Sequence, residues 1–326
     1  MARVLILKLS SFGDILQTFY ALEDLCRFDP NLKISWCVQS EFQELLKIHN
    51  RTIQVISFPL AAWKRGWYRP STLVAVFQTI KALRSEKIDV SVDLQGMLKS
   101  AVIGFLSGAK TRVGPSQQFV SERGACYFYN RKMPISQVEG LASRSRDFLG
   151  SAVGYDFKKF SISSGLDGWT GGAEIAIFVG ASTERKSLTK SELLNISRAL
   201  MRLTSTKVAL YWGSNIEHRE CLSLIEELNS EQFAVAKRIY SVRELMSRLA
   251  KETAFVVGAD TGPVHFAVAL GVPTLMLFKS TKPERYSHKD LTFLYPVQIS
   301  STIGLEQASR VVENLLRVSG LLKNLN

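Results

Sequence analysis

Residues 4–18 read VLILKLSSFGDILQT: an apolar run, a polar turn at Ser10-Ser11-Phe12-Gly13-Asp14, then apolar residues again. Ile15, Phe19, Leu22 and Cys26 recur at helical spacing, so the stretch predicts strand, tight turn, helix. The alternation continues outward from it. Strands are predicted at 34–38, 53–58 and 89–93, extended by 111–113, with helices at 15–27, 42–49, 71–85 and 98–107. A second series places strands at 174–179, 207–212, 255–258 and 274–278 among helices at 190–203, 217–228, 242–250, 263–270 and 304–316. Strands alternating with helices imply a parallel, doubly wound sheet. The glycine- and serine-rich stretch 150–172 shows no helical stripe and is read as the linker, which gives two α/β domains, 1–160 and 161–326. Ligands in such folds sit beyond the carboxyl ends of the strands.

The 326 residues are enough for two domains, and 46% hydrophobic with 21% charged residues excludes disorder and low-complexity scaffolds. The longest apolar runs, from Ala101 and from Val268, are short and broken by glycine or proline, so no membrane span is expected. The first residues lack a small-residue cleavage site, so a secretory signal is not expected and the cytoplasm is the default. Cys26, Cys37, Cys126 and Cys221 form no CxxC pair and read as buried thiols. The scattered histidines and the absence of HExxH give no support for a metal site, which favours metal-independent chemistry. The net charge of +12 is concentrated: residues 51–159 hold 17 Lys and Arg against 7 Asp and Glu. A one-sided positive field suggests an anionic partner: nucleic acid, a phosphorylated small molecule or an anionic membrane surface.

Six places at strand ends carry candidate chemistry. In the first turn, Ser11 and Gly13 precede Asp14, which reads first as a helix cap and otherwise as a reactive carboxylate. Asp260-Thr261-Gly262-Pro263-Val264-His265 follows a strand and opens a helix; Asp260 and Thr261 could cap it, while the turn's amides suit a diphosphate. A cap alone would not need His265. The loop GASTERKSL (180–188) could bring Ser182, Thr183 and Lys186 to phosphate, and Glu217, beyond another strand, could accept hydrogen bonds from a ribose or lie on a solvated helix face. FPLAAWKRGWYRP (58–70) interleaves Trp63, Trp67 and Tyr68 with Lys64, Arg65 and Arg69, a mixture suited to nucleic acid, a phosphosugar or a membrane interface. DLQGMLKS (93–100) places Gln95 and Lys99 at a further strand end. If these ends converge, they line one acceptor pocket.

Taken together, RVLILKLSSFGDILQT, DLQGMLKSA, FYNRK (128–132) and ADTGPVHFAVALGVPT (259–274) resemble the ADP-heptose glycosyltransferases of family 9, along nearly the whole chain and in the same order. DLQG…KSA and FYNRK favour type I over type II. The resemblance implies a GT-B architecture: two Rossmann-like doubly wound domains facing a central cleft, the first for the acceptor and the second for the donor, with the C-terminal helix a candidate to cross back. It makes Asp14 the catalytic base. Lys186 holds the donor phosphates, with Ser182 and Thr183 beside them, Glu217 on the nucleoside, and Asp260, Thr261, Gly262 and His265 in the donor turn. Ser11, Gly13, Lys64, Arg65, Gln95 and Lys99 are the candidates on the acceptor side.

The implied reaction is an inverting transfer of L-glycero-D-manno-heptose from ADP-heptose to Kdo on lipid A, with no cofactor and no essential divalent metal. The implied place is peripheral, at the anionic inner face of the cytoplasmic membrane, where Trp63, Trp67 and Tyr68 are candidates to insert; no nucleic acid is involved. Other family 9 sugars or acceptors, and a non-catalytic anion-binding module, are the alternatives. The chain departs from the family's usual GPT then DP after the histidine helix and its strand, with Lys279, Ser280, Thr281, Lys282 and Pro283, and has Leu188 where tryptophan is usual. A nicotinamide dehydrogenase lacks both GxGxxG and its acidic ribose partner here.

Overall fold

The computed structural model describes all residues except 1, 67, 167, 287–290, 292–293, 300–302 and 319–326. The chain divides into two compact units, Met1–Leu166 and Asp167–Asn326, six residues beyond the boundary expected at 160. In the first, the order is β1 (Arg3–Leu7), α1 (Phe12–Phe28), β2 (Lys33–Gln39), α2 (Gln43–Leu46), β3 (Gln54–Phe58), α3 (Leu60–Arg65), α4 (Pro70–Ser85), β4 (Val90–Asp93), α5 (Leu98–Leu106), β5 (Thr111–Pro115), β6 (Arg131–Met133) and α6 (Leu141–Val153). In the second it is β7 (Glu174–Phe178), α7 (Lys190–Leu203), β8 (Lys207–Tyr211), α8 (Asn215–Leu228), β9 (Phe233–Val235), α9 (Val242–Lys251), β10 (Thr253–Ala259), α10 (Gly262–Leu270), β11 (Thr274–Phe278), β12 (Leu294–Gln298) and α11 (Leu305–Val318).

Each unit is built on one parallel six-stranded sheet. The strand orders are β3-β2-β1-β4-β5-β6 and β12-β11-β10-β7-β8-β9, which is the same Rossmann order twice. The central strands are apolar along their whole length because helices cover both faces; Val4 to Leu7 are at most 1% exposed. In each sheet the order reverses once, between β1 and β4 and between β7 and β10. Crossovers leave in opposite directions at that point, opening a crevice at the carboxyl ends where a ligand can reach backbone amides.

The helix over 71–85 begins at Pro70, whose fixed φ suits the first helical position. Helix α7 keeps the expected bounds because Thr189 and Glu192 form a capping box around its first turn. The first half of the segment 58–70 is helical, α3, with Trp63 set edge-on against Phe58 at 5.8 Å. Trp63 therefore packs on the core and does not project as a candidate to insert. Trp67 lies outside the described residues. The terminal helix α11, considered as a return to the first domain, packs within the second unit on α7 through Ala308, Val312 and Leu316. The four cysteines are buried and free. Among the described residues no helix is long and apolar enough to cross a membrane.

Helix α6 has no continuous apolar stripe because it carries a buried cation. Arg146 donates to both oxygens of Asp24 on α1, at 2.6 and 3.2 Å, and to the carbonyls of Phe157 and Phe160. Both carboxylate oxygens and two of the guanidinium nitrogens thus have partners, and hydrogen bonds of this kind are what make a buried ion pair tolerable.

His49 is a second buried polar group. Its Nδ1 accepts from the Arg51 amide at 3.1 Å, its ring stands against Phe19, and Glu23, held by Arg51 and Arg27, lies beside it. Burial pushes the imidazole down to about 4, against the partial opposing pull of Glu23. An unfolded histidine takes up its proton near pH 6.5, so the unfolded state gains protons first as pH falls. Stability is therefore complete above about pH 6.5 and is lost as the pH drops toward 4, by on the order of 3 kcal/mol. In urea unfolding at stepped pH, His49→Gln is expected to flatten that slope.

Candidate functional site

In the first unit the switch point is occupied by the turn after β1 and the turn after β4. Ser11 is the N-cap of α1 by backbone conformation, but its side chain makes no cap bond; Gly13 is buried in the first turn, and Asp14 follows as its acidic residue. The Asp14 carboxylate is 14% exposed and lies 3.7 Å from Nζ of Lys8, itself almost fully buried. Lys8 is anchored by donating to the Leu94 carbonyl at 3.3 Å, and its own carbonyl accepts from Trp36 Nε1 at 3.0 Å. A buried ammonium beside a partly open carboxylate keeps the charges balanced while one carboxylate face meets solvent.

Gln95 plays a different part from the one its position suggested. Its Oε1 accepts from the amides of Leu9 and Ser10, at 3.1 and 3.3 Å, so it ties the β4 turn to the turn that carries Asp14. Asp93 holds Gln95 in turn: its carboxylate accepts from the amides of Gln95 and Gly96 and from the hydroxyls of Ser100 and Tyr129, at 2.7 to 2.9 Å. Burial outweighs these four bonds and pushes the Asp93 carboxyl up. Tyr129 reaches Asp93 because its ring lies flat on Gly114 of β5, where any Cβ would fall onto the ring. FYNRK is thus structural. Asn130 pairs with the backbone of Arg112 and Lys110, and Arg131 bonds the end of α6 at Ala152. Lys99 is half-buried in the first turn of α5, beside this crevice. Lys64 and Arg65 are exposed at the end of α3, after β3 and two strands away from β1, roughly 10 Å at ordinary strand spacing.

In the second unit the switch point gathers the loop after β7 and the turn after β10. Asp260 is 3% exposed and accepts three bonds: from Lys186 Nζ at 2.6 Å, from Thr281 Oγ1 at 2.6 Å, and from His265 Nε2 at 2.8 Å, in the tautomer that carries the proton there. Burial alone would raise this carboxyl; the bonds from His265, Lys186 and Thr281 outweigh it and hold Asp260 well below the usual carboxylate range. The cap role considered for Asp260 and Thr261 is therefore not what these side chains do. Asp260 serves the lysine, and Thr261, the N-cap of α10 by backbone, makes no side-chain cap bond. His265 is set by Asp260 and by the Tyr286 ring, 4.4 Å away. The amide of Gly262 stands at the positive end of α10, where an anion is favoured. Ser182 and Thr183 are exposed on the turn that delivers Lys186.

Beside this cluster is a cavity of about 360 Å³ with Phe178, Tyr211, Trp212, Ile239 and Leu245 on its walls and Ser182, Glu217 and Thr261 among its polar residues. Three aromatic rings, a carboxylate and a helix N-terminus suit a nucleoside joined to phosphate. Glu217 closes a capping box with Ser214 and accepts from the amides of Gly213 and Ser214 at 2.6 and 3.0 Å, so the side chain caps α8 while lining the cavity. A Cβ at Gly180 would fall onto the Glu217 carboxylate, so glycine leaves the room in which it lies. Gly180→Ala is expected to displace that carboxylate from the Gly213 and Ser214 amides and to cost about 1 kcal/mol of stability, the worth of a helix-capping contact. Thermal denaturation of the variant beside the parent checks it.

A family model for glycosyltransferase family 9 (heptosyltransferase) matches residues 76–310. The chain belongs to this family. Lipopolysaccharide heptosyltransferase 1 of Escherichia coli K12 is 27% identical over 288 residues, 86% of this chain and 89% of that protein. The protein of the same name from Pseudomonas aeruginosa is 29% identical over 287 residues, 86% of this chain and 79% of its own. The structures of E. coli heptosyltransferase WaaC with ADP and with ADP-2-deoxy-2-fluoro heptose share the fold, with TM-scores of 0.85 and 0.83 at 24% identity, covering 96% of this chain and 99% of theirs. This family 9 glycosyltransferase has both Rossmann-like domains of the GT-B architecture.

Several partners in the sites were not legible in the sequence. Thr281 and Tyr286 come to Asp260 and His265 from the segment after β11, and Lys279 bonds the Ser187 carbonyl and the buried Glu192, at 3.1 and 2.9 Å. The lysine-flanked departure at Lys279–Lys282 is thus partly internal: Lys279 fastens the loop that carries Lys186 to α7.

Proposed function

We propose that this glycosyltransferase moves L-glycero-D-manno-heptose from ADP-heptose to Kdo of an inner-core lipopolysaccharide precursor, with inversion at the anomeric carbon. The observation that carries the reading is the Asp260-centred cluster, which sets one ammonium and a helix N-terminus beside a nucleoside-sized aromatic cavity. The relatives named as heptosyltransferases along most of the chain support it. In this reading the second unit holds the donor: the base and ribose in the cavity with Glu217, and the diphosphate at Lys186, Ser182, Thr183 and the amides of Thr261 and Gly262. The first unit receives the acceptor through Ser11, Gly13 and Lys99, with Lys64 and Arg65 meeting its anionic groups.

Asp14 takes the proton of the acceptor hydroxyl, whose oxygen forms the new bond to the heptose anomeric carbon. The bond to ADP breaks, its electron pair leaves on the diphosphate, and Lys186 with the α10 amides meets that charge. The proton on Asp14 returns to solvent. A lysine and backbone amides fill the role a divalent cation fills elsewhere, so turnover in excess EDTA is expected to stay within about twofold of the untreated rate; loss restored by Mg²⁺ would refute this. The acceptor is lipid-borne, which places the enzyme peripherally at an anionic cytoplasmic membrane face.

The direct test is incubation with ADP-heptose and Kdo-lipid A, following ADP release and acceptor mass. One added heptose supports the reading. ADP release with an unchanged acceptor would point to another family 9 acceptor, and absence of donor binding would overturn it.

A further inference from the structure

The outer face of α4 does not look like the surface of a helix that only meets water. Leu73, Val74 and Phe77 are 62%, 54% and 68% exposed and form one apolar stripe, and Tyr68, just before the helix, is 63% exposed. The spacing of 73, 74 and 77 keeps all three on one side, opposite Leu83, the helix's buried residue. Lys81 lies on that same side one turn further on, and Lys64, Arg65 and Arg69 precede the stripe in sequence. Between Glu44 and Glu86 the chain has no carboxylate at all. An exposed apolar helix face on a segment that carries cations and no carboxylate from 45 to 85 is complementary to a surface that is both anionic and greasy. A protein partner of ordinary composition would meet this segment with both signs of charge and would find no acid on it to pair with.

We propose that this face is the membrane-docking element, with Leu73, Val74 and Phe77 entering the headgroup boundary of an anionic bilayer and the surrounding lysines and arginines at its phosphates. This deepens the peripheral location proposed above by naming the surface that makes contact. It rests on that reading only in the choice of a bilayer as the occupant.

The test is flotation with vesicles of three parts phosphatidylcholine to one part phosphatidylglycerol, free of acceptor, against vesicles of phosphatidylcholine alone. The full chain is expected to bind the anionic vesicles more tightly, and less so as salt is raised. Leu73→Ser/Val74→Ser/Phe77→Ser is expected to lower partitioning about tenfold or more with ADP binding unchanged, because these exposed positions support no core. A second variant guards against misfolding: the native cysteines are buried, so Val74→Cys offers one reactive thiol for an environment-sensitive dye, whose emission is expected to shift to the blue on anionic vesicles. Equal partitioning of the triple variant, no binding by the parent chain, or no dye shift would each overturn the proposal. So would a parent dimer that the triple variant dissolves, since the stripe would then face a second copy. The vesicles contain no acceptor, so failure here leaves the heptosyl-transfer reading standing, and failure of transfer leaves this one standing.

Discussion

Asp14→Asn is expected to lower kcat by about 100- to 10,000-fold, the range set by losing a positioned general base, while ADP binding stays close to that of the parent; the melting temperature is expected to fall, because the buried Lys8 ammonium loses the carboxylate that balances it. Asparagine keeps the shape of the side chain in the first turn of α1 but cannot accept the acceptor's proton. The competing explanation is that Asp14 only steadies the positive end of α1. That role is worth about 0.3–1 kcal/mol at a partly open site, too little to unfold a domain and far too little for a thousandfold loss of rate. The path of the turn itself is held by groups other than Asp14. Gln95 fixes the Leu9 and Ser10 amides, Asp93 fixes Gln95, and the Leu94 carbonyl anchors Lys8. A single-turnover rate within threefold of the parent would remove Asp14 from the chemistry, whatever the family resemblance implies.

The second large effect is expected at Lys186. Lys186→Met should reduce kcat/KM for ADP-heptose by about 100- to 1,000-fold, comparable with removing one preorganised donor from a developing anion, and should weaken ADP binding in the same direction. One of the three N–H bonds of the ammonium goes to Asp260, which aims the group; the others remain for phosphate. Methionine preserves the stem and its packing. Asp260 keeps two of its bonds, from His265 and Thr281, so the buried carboxylate is not stranded and the fold is expected to survive. Lys186→Arg should recover part of the loss, since the charge persists with a different reach. A methionine variant that melts earlier but turns over normally would mark Lys186 and Asp260 as a structural ion pair only.

Much of this was readable before any coordinates, for a definite reason. The inner strands of a parallel sheet are buried on both faces, so VLIL, IAIF and AFVVGA announce themselves as unbroken apolar runs, and the polar turn after each marks its carboxyl end. Asp14, Lys186, Asp260 and His265 are local to those turns. The edges were another matter. β6 (RKM), β9 (FAV) and β12 (LYPVQ, with a proline) are short and only partly covered, so neither alternation nor an apolar run betrays them. α6 was obscured because its inner face carries Ser143, Ser145 and Arg146, whose partner Asp24 lies 122 positions earlier. Tyr129 with Asp93, Lys279 with Glu192 and Thr281 with Asp260 are likewise pairs made by topology, and no spacing within one segment encodes them.

The chain passes once from its first compact unit to its second, and each has a complete sheet and its own switch point. In the proposed reading, recognition of the nucleotide sugar is written in one uninterrupted stretch of the gene and recognition of the acceptor in another. A single recombination event in the codons for 161–172 would therefore exchange one specificity without mixing residues of the other. New donor and acceptor pairings can arise by shuffling halves as well as by accumulating point changes, and a chimaera joined there to the second half of another family member inherits its donor preference as a block.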